Sequence, residues 1–150
     1  MQGKAILFLK ANIIIGLVLA VLGCSLNDKK IFQDENGLLE GYDPVAYFLE
    51  NQAVLGDKQF SLLSKEGTWY FSSADNKQLF SQNPDKYKPQ YGGYCAYAMT
   101  FGLVVSSDPH AFSIINDKLY LNYSLSVREK WLKKKEQYIV EADDNWNKKQ

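Results

Sequence analysis

Apolar and polar residues follow one another along residues 59–123 in patterns typical of short strands and helices. Two pairs of apolar or aromatic runs, each pair separated by a short polar turn, predict two β-hairpins. These runs are residues 59–64 with 68–72, and residues 112–115 with 119–123. Weaker signals predict a short strand over 103–106 and the start of a helix at Asp108-Pro109.

Residues that cap helices precede three further segments. Asp43 and Pro44 predict a short helix that ends near Glu50, and Ser73 predicts a helix over 74–82 that Pro84 follows. Ser126 has the capping-box spacing to Glu129 and predicts one long C-terminal helix. The apolar stripe of that helix is Val127, Trp131, Tyr138, Ala142 and Trp146. The sequence therefore predicts an α+β fold with two β-hairpins, short helices and a long C-terminal helix.

The first residues have the layout of a secretory signal peptide. Two lysines precede an apolar stretch over 11–22, which is shorter than the roughly 20 residues of a transmembrane helix. Val21-Leu22-Gly23-Cys24 resembles the bacterial lipobox, whose cysteine is acylated and becomes the new N-terminus. We therefore expect a signal peptide over 1–23, lipidation of Cys24, a polar tether over 24–41 and a single domain over 42–150. The alternative is a plain N-terminal membrane anchor in which Cys24 is incidental.

Composition and charge exclude several classes of function. Lys and Arg number 17, as do Asp and Glu, so the chain lacks the positive charge of a protein that binds nucleic acid through phosphates. One His and two Cys exclude a zinc site that needs several imidazoles, and they exclude a disulfide framework. If Cys24 is lipidated, Cys95 is the remaining thiol. In an oxidising compartment such a thiol is buried, bound to a ligand or reactive.

An aromatic pattern recurs over residues 67–87, GTWYFSSADNKQLFSQNPDKY, and Asp43-Pro44-Val45 precedes it. This region resembles the YHS domain over about residues 42–90. The rest of the chain resembles an extended branch of YHS-domain proteins of bacterial envelopes. The resemblance implies a small α+β fold and a lipid-anchored envelope protein whose domain faces the periplasm or the exterior. Metal-binding YHS proteins have cysteine at the positions of Ala46, Ser72 and Asn76. These residues cannot form a soft thiolate site, so the resemblance does not carry the metal ligands to this chain.

Cys95 and Met99 are the first candidates for a metal site. A cysteine in the first turn of a helix has a stabilised thiolate, and a methionine four residues later lies on the same helical face. A thiolate with a thioether suits Cu(I), and His110 is a third candidate ligand, so copper or zinc is the expected ion. The alternatives are that Cys95 and Met99 are core residues, that Cys95 is a redox thiol, and that His110 is a surface residue.

A cluster of tyrosines surrounds Cys95. Tyr91, Tyr94 and Tyr97 are candidates to line a ligand groove, because tyrosine combines a flat apolar ring with a polar hydroxyl. The alternative is that they pack between the YHS-like part and the C-terminal part.

Three functions remain open from the sequence. We expect a non-catalytic module, anchored in the bacterial membrane, that binds a metal ion or a small ligand. The alternative is a metal-free structural domain that binds an envelope protein partner. The third hypothesis is a thiol redox enzyme that uses Cys95 alone. Such an enzyme would have no resolving cysteine once Cys24 is lipidated.

Overall fold

A computed structural model describes residues 31–150. The expected signal peptide, Cys24 and the first part of the expected tether lie outside these residues. The fold is α+β, as the sequence predicts, with helices and three antiparallel strand pairs. Among residues 31–150, no helix is long and apolar enough to cross a membrane.

Both predicted hairpins are present, together with a third, smaller one. The pairs are β1 (Gln33–Asp34) with β2 (Gly37–Leu38), β3 (Asp57–Leu63) with β4 (Thr68–Phe71), and β5 (Asp108–Ile115) with β6 (Lys118–Asn122). The β1–β2 hairpin lies in the region that the sequence assigns to the tether. Ile31, Leu38 and Leu39 are buried there and belong to the main hydrophobic core. The packed structure therefore includes residues 31–41 and does not begin at Tyr42.

Six α-helices accompany the strands. They are α1 (Ala46–Leu49), α2 (Ala74–Gln82), α3 (Pro84–Tyr87), α4 (Ala96–Met99), α5 (Leu125–Leu132) and α6 (Lys135–Lys148). Helix α2 has the predicted bounds, and its first turn is closed by the Ser73 side chain, which accepts a hydrogen bond from the Asn76 backbone N–H at 3.1 Å. Local capping alone is sufficient to define this helix.

The C-terminal region contains two helices where the sequence predicts one. Ser124, not Ser126, caps α5, because its hydroxyl accepts a hydrogen bond from the Val127 N–H. The helical conformation is interrupted at Lys134, whose φ and ψ are −140° and 34°. This break lets Trp131 pack in the interior while the stripe of α6 covers α4.

The expectations for residues 103–110 are wrong. Residues 103–106 form no strand, and Asp108 begins strand β5 and not a helix. The Asp108 side chain accepts a hydrogen bond from the His110 N–H at 2.9 Å, an arrangement that a helix cap and a turn share. Pairing with β6 and the burial of alternate residues, including Ala111 and Ser113, decide in favour of a strand.

The buried side chains form two clusters. The first includes Trp69, Phe71 and Phe80, together with Leu38 of β2 and the flanking Ile31 and Leu39. The second lies between α4, α5 and α6 and includes Tyr91, Met99, Tyr120 and Trp131. Strand β6 contributes Leu119 and Leu121 to the first cluster and Tyr120 to the second, and so connects the two clusters.

Candidate functional site

Ser72 and Asn76, two of the three residues that the expected YHS resemblance aligns with cysteines, surround a buried carboxylate. Asp43 is fully buried, and its Oδ1 accepts a hydrogen bond from the Val45 N–H at 2.8 Å. Its Oδ2 accepts from the Ser72 N–H at 2.8 Å, the Ser72 hydroxyl at 2.7 Å and the Asn76 Nδ2 at 2.7 Å. The Asn76 amide also donates to the Ser72 hydroxyl at 3.1 Å.

This arrangement does not fit a soft metal ion. Ala46 offers no ligand atom, and the polar groups of Ser72 and Asn76 are already hydrogen-bonded to Asp43. Burial of a carboxylate is tolerated when several donors surround it, and here those donors are Val45 just before α1, Ser72 just after β4 and Asn76 in α2. The cluster therefore holds three elements together, and it lies where the resemblance would place metal ligands.

Cys95 lies just before α4 and Met99 is its last residue. Contacts within the protein occupy both side chains. Cys95 is 1% exposed, and its Sγ accepts a hydrogen bond from the Ala98 N–H at 3.5 Å. The same Sγ lies 3.9 Å from the Oδ1 of buried Asn122. Met99 is fully buried in the aromatic second cluster. These contacts favour the interpretation of both residues as core.

His110 lies on β5 at the protein surface. Its Nε2 is 3.2 Å from the Tyr42 hydroxyl, and the two rings meet edge to face with centroids 5.6 Å apart. Within residues 31–150, no three His, Cys, Asp or Glu side chains are grouped so that they could hold a metal ion.

The three candidate tyrosines make different contacts. Tyr91 is buried, and its hydroxyl donates to Asp143 Oδ1 at 2.8 Å. Tyr94 packs on Phe32, with ring centroids 5.6 Å apart. Tyr97 packs edge to face on Phe101 and Tyr138, at 5.4 Å and 5.2 Å. Tyr91 and Tyr97 thus join α6 to the rest of the fold, and Tyr94 packs on the segment before β1.

Tyr91 also lines a polar cavity of about 380 Å³ between Lys88, Lys118 and Trp146. Burial and the hydrogen bond to Asp143 raise the pKa of the Tyr91 phenol well above its ordinary value. The backbone of Tyr91 has φ of 53°, a left-handed conformation that is costly for a residue with a Cβ. The Asp143 hydrogen bond helps to hold this conformation.

A second cavity, of about 410 Å³, lies between strand β5 and helix α5. We call it the edge cavity, because β5 pairs only with β6 among the described strands and its other edge faces this space. Its lining is formed by Asn51, His110, Phe112, Ser113, Ile114, Ile115, Arg128 and Leu132. The side chains of this lining that can carry charge are those of Arg128 and His110, the only Arg and the only His of the chain.

Arg128 is fixed in the edge cavity by a neutral partner. Its Nε donates to the hydroxyl of buried Ser113 at 2.8 Å. The two terminal amino groups of the guanidinium make no hydrogen bond or ion pair with any residue in the range 31–150. Arg128 and Ser113 are not among the residues that the sequence predicts for a site, and the one available signal is that Arg128 is the only arginine of the chain.

The chain matched no protein family, no curated protein and no solved structure.

Proposed function

We propose that this protein is a lipid-anchored lipoprotein of the bacterial envelope whose YHS-like domain is a non-catalytic module that binds a small organic anion in the edge cavity. The observation that carries this proposal is Arg128, a half-buried guanidinium whose terminal donors have no partner among the described residues. The lipoprotein part rests on the lipobox-like Val21-Leu22-Gly23-Cys24.

The charge of the edge cavity favours an anion. Arg128 is permanently positive, and none of the carboxylate side chains within residues 31–150 lines the cavity to neutralise it. Ser113 fixes the plane of the guanidinium through Nε, so its outer face presents two parallel donors. Such a fork matches a carboxylate or a phosphate in a bidentate pair.

Polar groups make up more of the open lining than apolar groups do. The smaller apolar part comes from Phe112, Ile114 and Leu132, which are half-buried beside Arg128. The cavity volume of about 410 Å³ falls within the range of about 300–1,000 Å³ that is typical of ligand sites. Octanoate is a suitable probe, since its head group can pair with Arg128 and the first carbons of its chain can contact this apolar part.

A binding role also agrees better with Cys95 than a thiol redox role does. A redox thiol must be accessible to its oxidant or its substrate, and Cys95 is 1% exposed. Metal binding through Cys95 and Met99 would have to break the cap at Ala98 and rearrange the second cluster.

The test is calorimetric titration of the protein with octanoate and with octanamide, its neutral isostere. We expect octanoate to bind and octanamide to bind at least about tenfold more weakly, because one charge-assisted hydrogen bond contributes about 1.5–3 kcal/mol. Arg128→Gln is expected to weaken octanoate binding by a similar factor.

The matched control is Lys130→Gln, which removes an exposed positive charge from the same helix. It should leave octanoate binding unchanged, apart from a small electrostatic effect. Equal binding of octanoate and octanamide, or equal losses in the two variants, would contradict the anion site.

A further inference from the structure

An exposed apolar loop follows helix α4. Phe101 is 62% exposed, Leu103 57% and Val104 51%. We call residues 101–105 the apolar loop. It lies within a longer stretch, residues 89–107, that contains no Asp, Glu, Lys, Arg or His. An uncharged loop with three neighbouring large apolar side chains in water is unusual for a surface that faces only solvent.

The apolar loop is held in a defined conformation. The Leu103 N–H donates to the Ala98 carbonyl at 3.1 Å, and Gly102 turns the chain with φ of 72°. The Asn145 amide of α6 donates to the carbonyls of Met99 and Thr100 at 3.2 Å and 2.9 Å. These hydrogen bonds hold the backbone of the apolar loop in one conformation. Less conformational entropy is therefore lost when its side chains are buried against a partner.

Residues 92–95 form hydrogen bonds both with the start of the described chain and with the end of the apolar loop. The Phe32 N–H donates to the Gly92 carbonyl at 2.6 Å. On the other side of this segment, the Cys95 N–H donates to the Val105 carbonyl at 2.9 Å, and the Ser107 hydroxyl donates to the Gly93 carbonyl at 2.6 Å. Phe32, close to the start of the described chain, and Val105, at the end of the apolar loop, therefore both bond to residues 92–95.

The reach of the chain before Ile31 limits how far the domain can lie from the membrane. From Cys24 to Ile31 a fully extended chain spans at most about 25 Å, at about 3.6 Å per residue. If Cys24 carries the lipid anchor of the proposed function, Ile31 cannot lie further than this from the lipid headgroups. Phe and Leu side chains insert favourably at the boundary between headgroups and acyl chains, whereas charged side chains do not.

We infer that the apolar loop docks on the bilayer that holds the Cys24 lipid, with Phe101, Leu103 and Val104 inserted at the headgroup boundary. This inference rests on the lipid anchor in the proposed function and is independent of the edge cavity. Docking would orient the domain on the membrane, whereas a lipidated N-terminus on a short chain by itself only tethers it.

The test is spin labelling of the full lipidated chain in vesicles of phosphatidylethanolamine and phosphatidylglycerol. A nitroxide is attached at Leu103→Cys, at Val104→Cys as a second site, and at Leu63→Cys as the control. Leu63 is 80% exposed on strand β3. Cys95 is 1% exposed and is expected to react far more slowly than an exposed cysteine, and an acylated Cys24 has no free thiol. Mass spectrometry of the same sample establishes whether Cys24 is acylated.

We expect the labels at 103 and 104 to gain collisions with oxygen and lose collisions with a water-soluble nickel chelate when the protein moves from detergent into vesicles. The label at 63 should remain accessible to the chelate. Acylated protein whose labels at 103 and 104 stay fully accessible to nickel would overturn the inference. So would labels shielded from both reagents, which indicate a protein partner or a second copy, and so would protein without acyl chains. Octanoate binding is measured separately, so failure of the anion site is distinguishable from failure of membrane docking.

Discussion

At the scale of single residues, Asp43 is the most heavily constrained polar group of the fold. Its carboxylate is fully buried and accepts hydrogen bonds from Val45 just before α1, from Ser72 just after β4, and from Asn76 in α2. The side chains of Ser72 and Asn76 both donate to this carboxylate. These hydrogen bonds connect three segments of the fold around one buried charge.

Asp43→Ala is expected to destabilise the protein by about 3–5 kcal/mol, since it leaves several buried donors without an acceptor. The measurement is the free energy of unfolding from urea denaturation. Asp57→Ala is the matched control, because Asp57 also accepts a hydrogen bond from the N–H two residues later but does so at the exposed surface. Its cost should stay below about 1 kcal/mol. If the two substitutions lowered the free energy of unfolding by similar amounts, the buried Asp43 cluster would not contribute more to stability than an exposed aspartate does.

At the scale of elements, the β1–β2 hairpin shows that residues 31–41 are structural. Leu38 is fully buried in the first cluster, and β2 packs on β4. Polar residues and glycines separate the apolar residues of this segment, so the sequence alone does not show that some of these apolar side chains pack inward. Its short strands also have too few residues for a visible alternation.

Leu38→Ala is expected to lower the free energy of unfolding by about 3 kcal/mol, the typical cost of removing a fully buried leucine side chain. Leu63→Ala is the control, because Leu63 is 80% exposed and should cost less than about 0.5 kcal/mol. Urea denaturation of both variants checks the prediction. If residues 31–41 were only a tether, Leu38→Ala would be as harmless as Leu63→Ala.

At the scale of the whole molecule, buried tyrosines join the parts of the fold. Tyr91 packs on Tyr120 and Trp146, with ring centroids 5.8 Å and 6.2 Å apart, and thereby connects β6 and α6. Burial raises the pKa of Tyr120 from 10.0 to about 12, and the nearby Asp143 carboxylate adds to this effect. Burial likewise raises the pKa of Tyr47 and of Tyr91.

These shifts predict a loss of stability at alkaline pH. A phenol with a raised pKa in the folded state stabilises the fold fully below pH 10.0, its ordinary pKa, and this contribution is lost as the pH rises towards 12. For Tyr120 alone the loss at about pH 11 is about 1 kcal/mol. Tyr120→Phe should therefore reduce the fall in unfolding free energy between about pH 8 and about pH 11 by that amount.

Tyr123→Phe is the control for this pH dependence, because the Tyr123 ring is 58% exposed and lies in water before and after unfolding. Urea denaturation at both pH values, on the wild type and the two variants, provides the comparison. If Tyr120→Phe and the wild type lose equal stability, the Tyr120 phenol does not contribute to alkaline unfolding.

The features that the sequence by itself determined are those set by neighbouring residues. Alternation over a few positions defined the β3–β4 and β5–β6 hairpins, and the Ser73 cap with Pro84 defined α2. Neighbouring residues alone did not decide whether Ser124 or Ser126 caps α5. Both serines suit a cap, and the packing of Trp131 against the second cluster selected Ser124.

Only the tertiary structure decided the candidate site. Asn51, Ser113 and Arg128 lie far apart in the chain and meet in the edge cavity because α5 packs on β5. Cys95 and Met99, which the sequence placed four residues apart as candidate ligands, are instead held in the interior by capping and aromatic packing. Sequence spacing fixes which residues share a strand or a helical face, whereas burial and contacts between distant elements fix which groups remain available to a ligand.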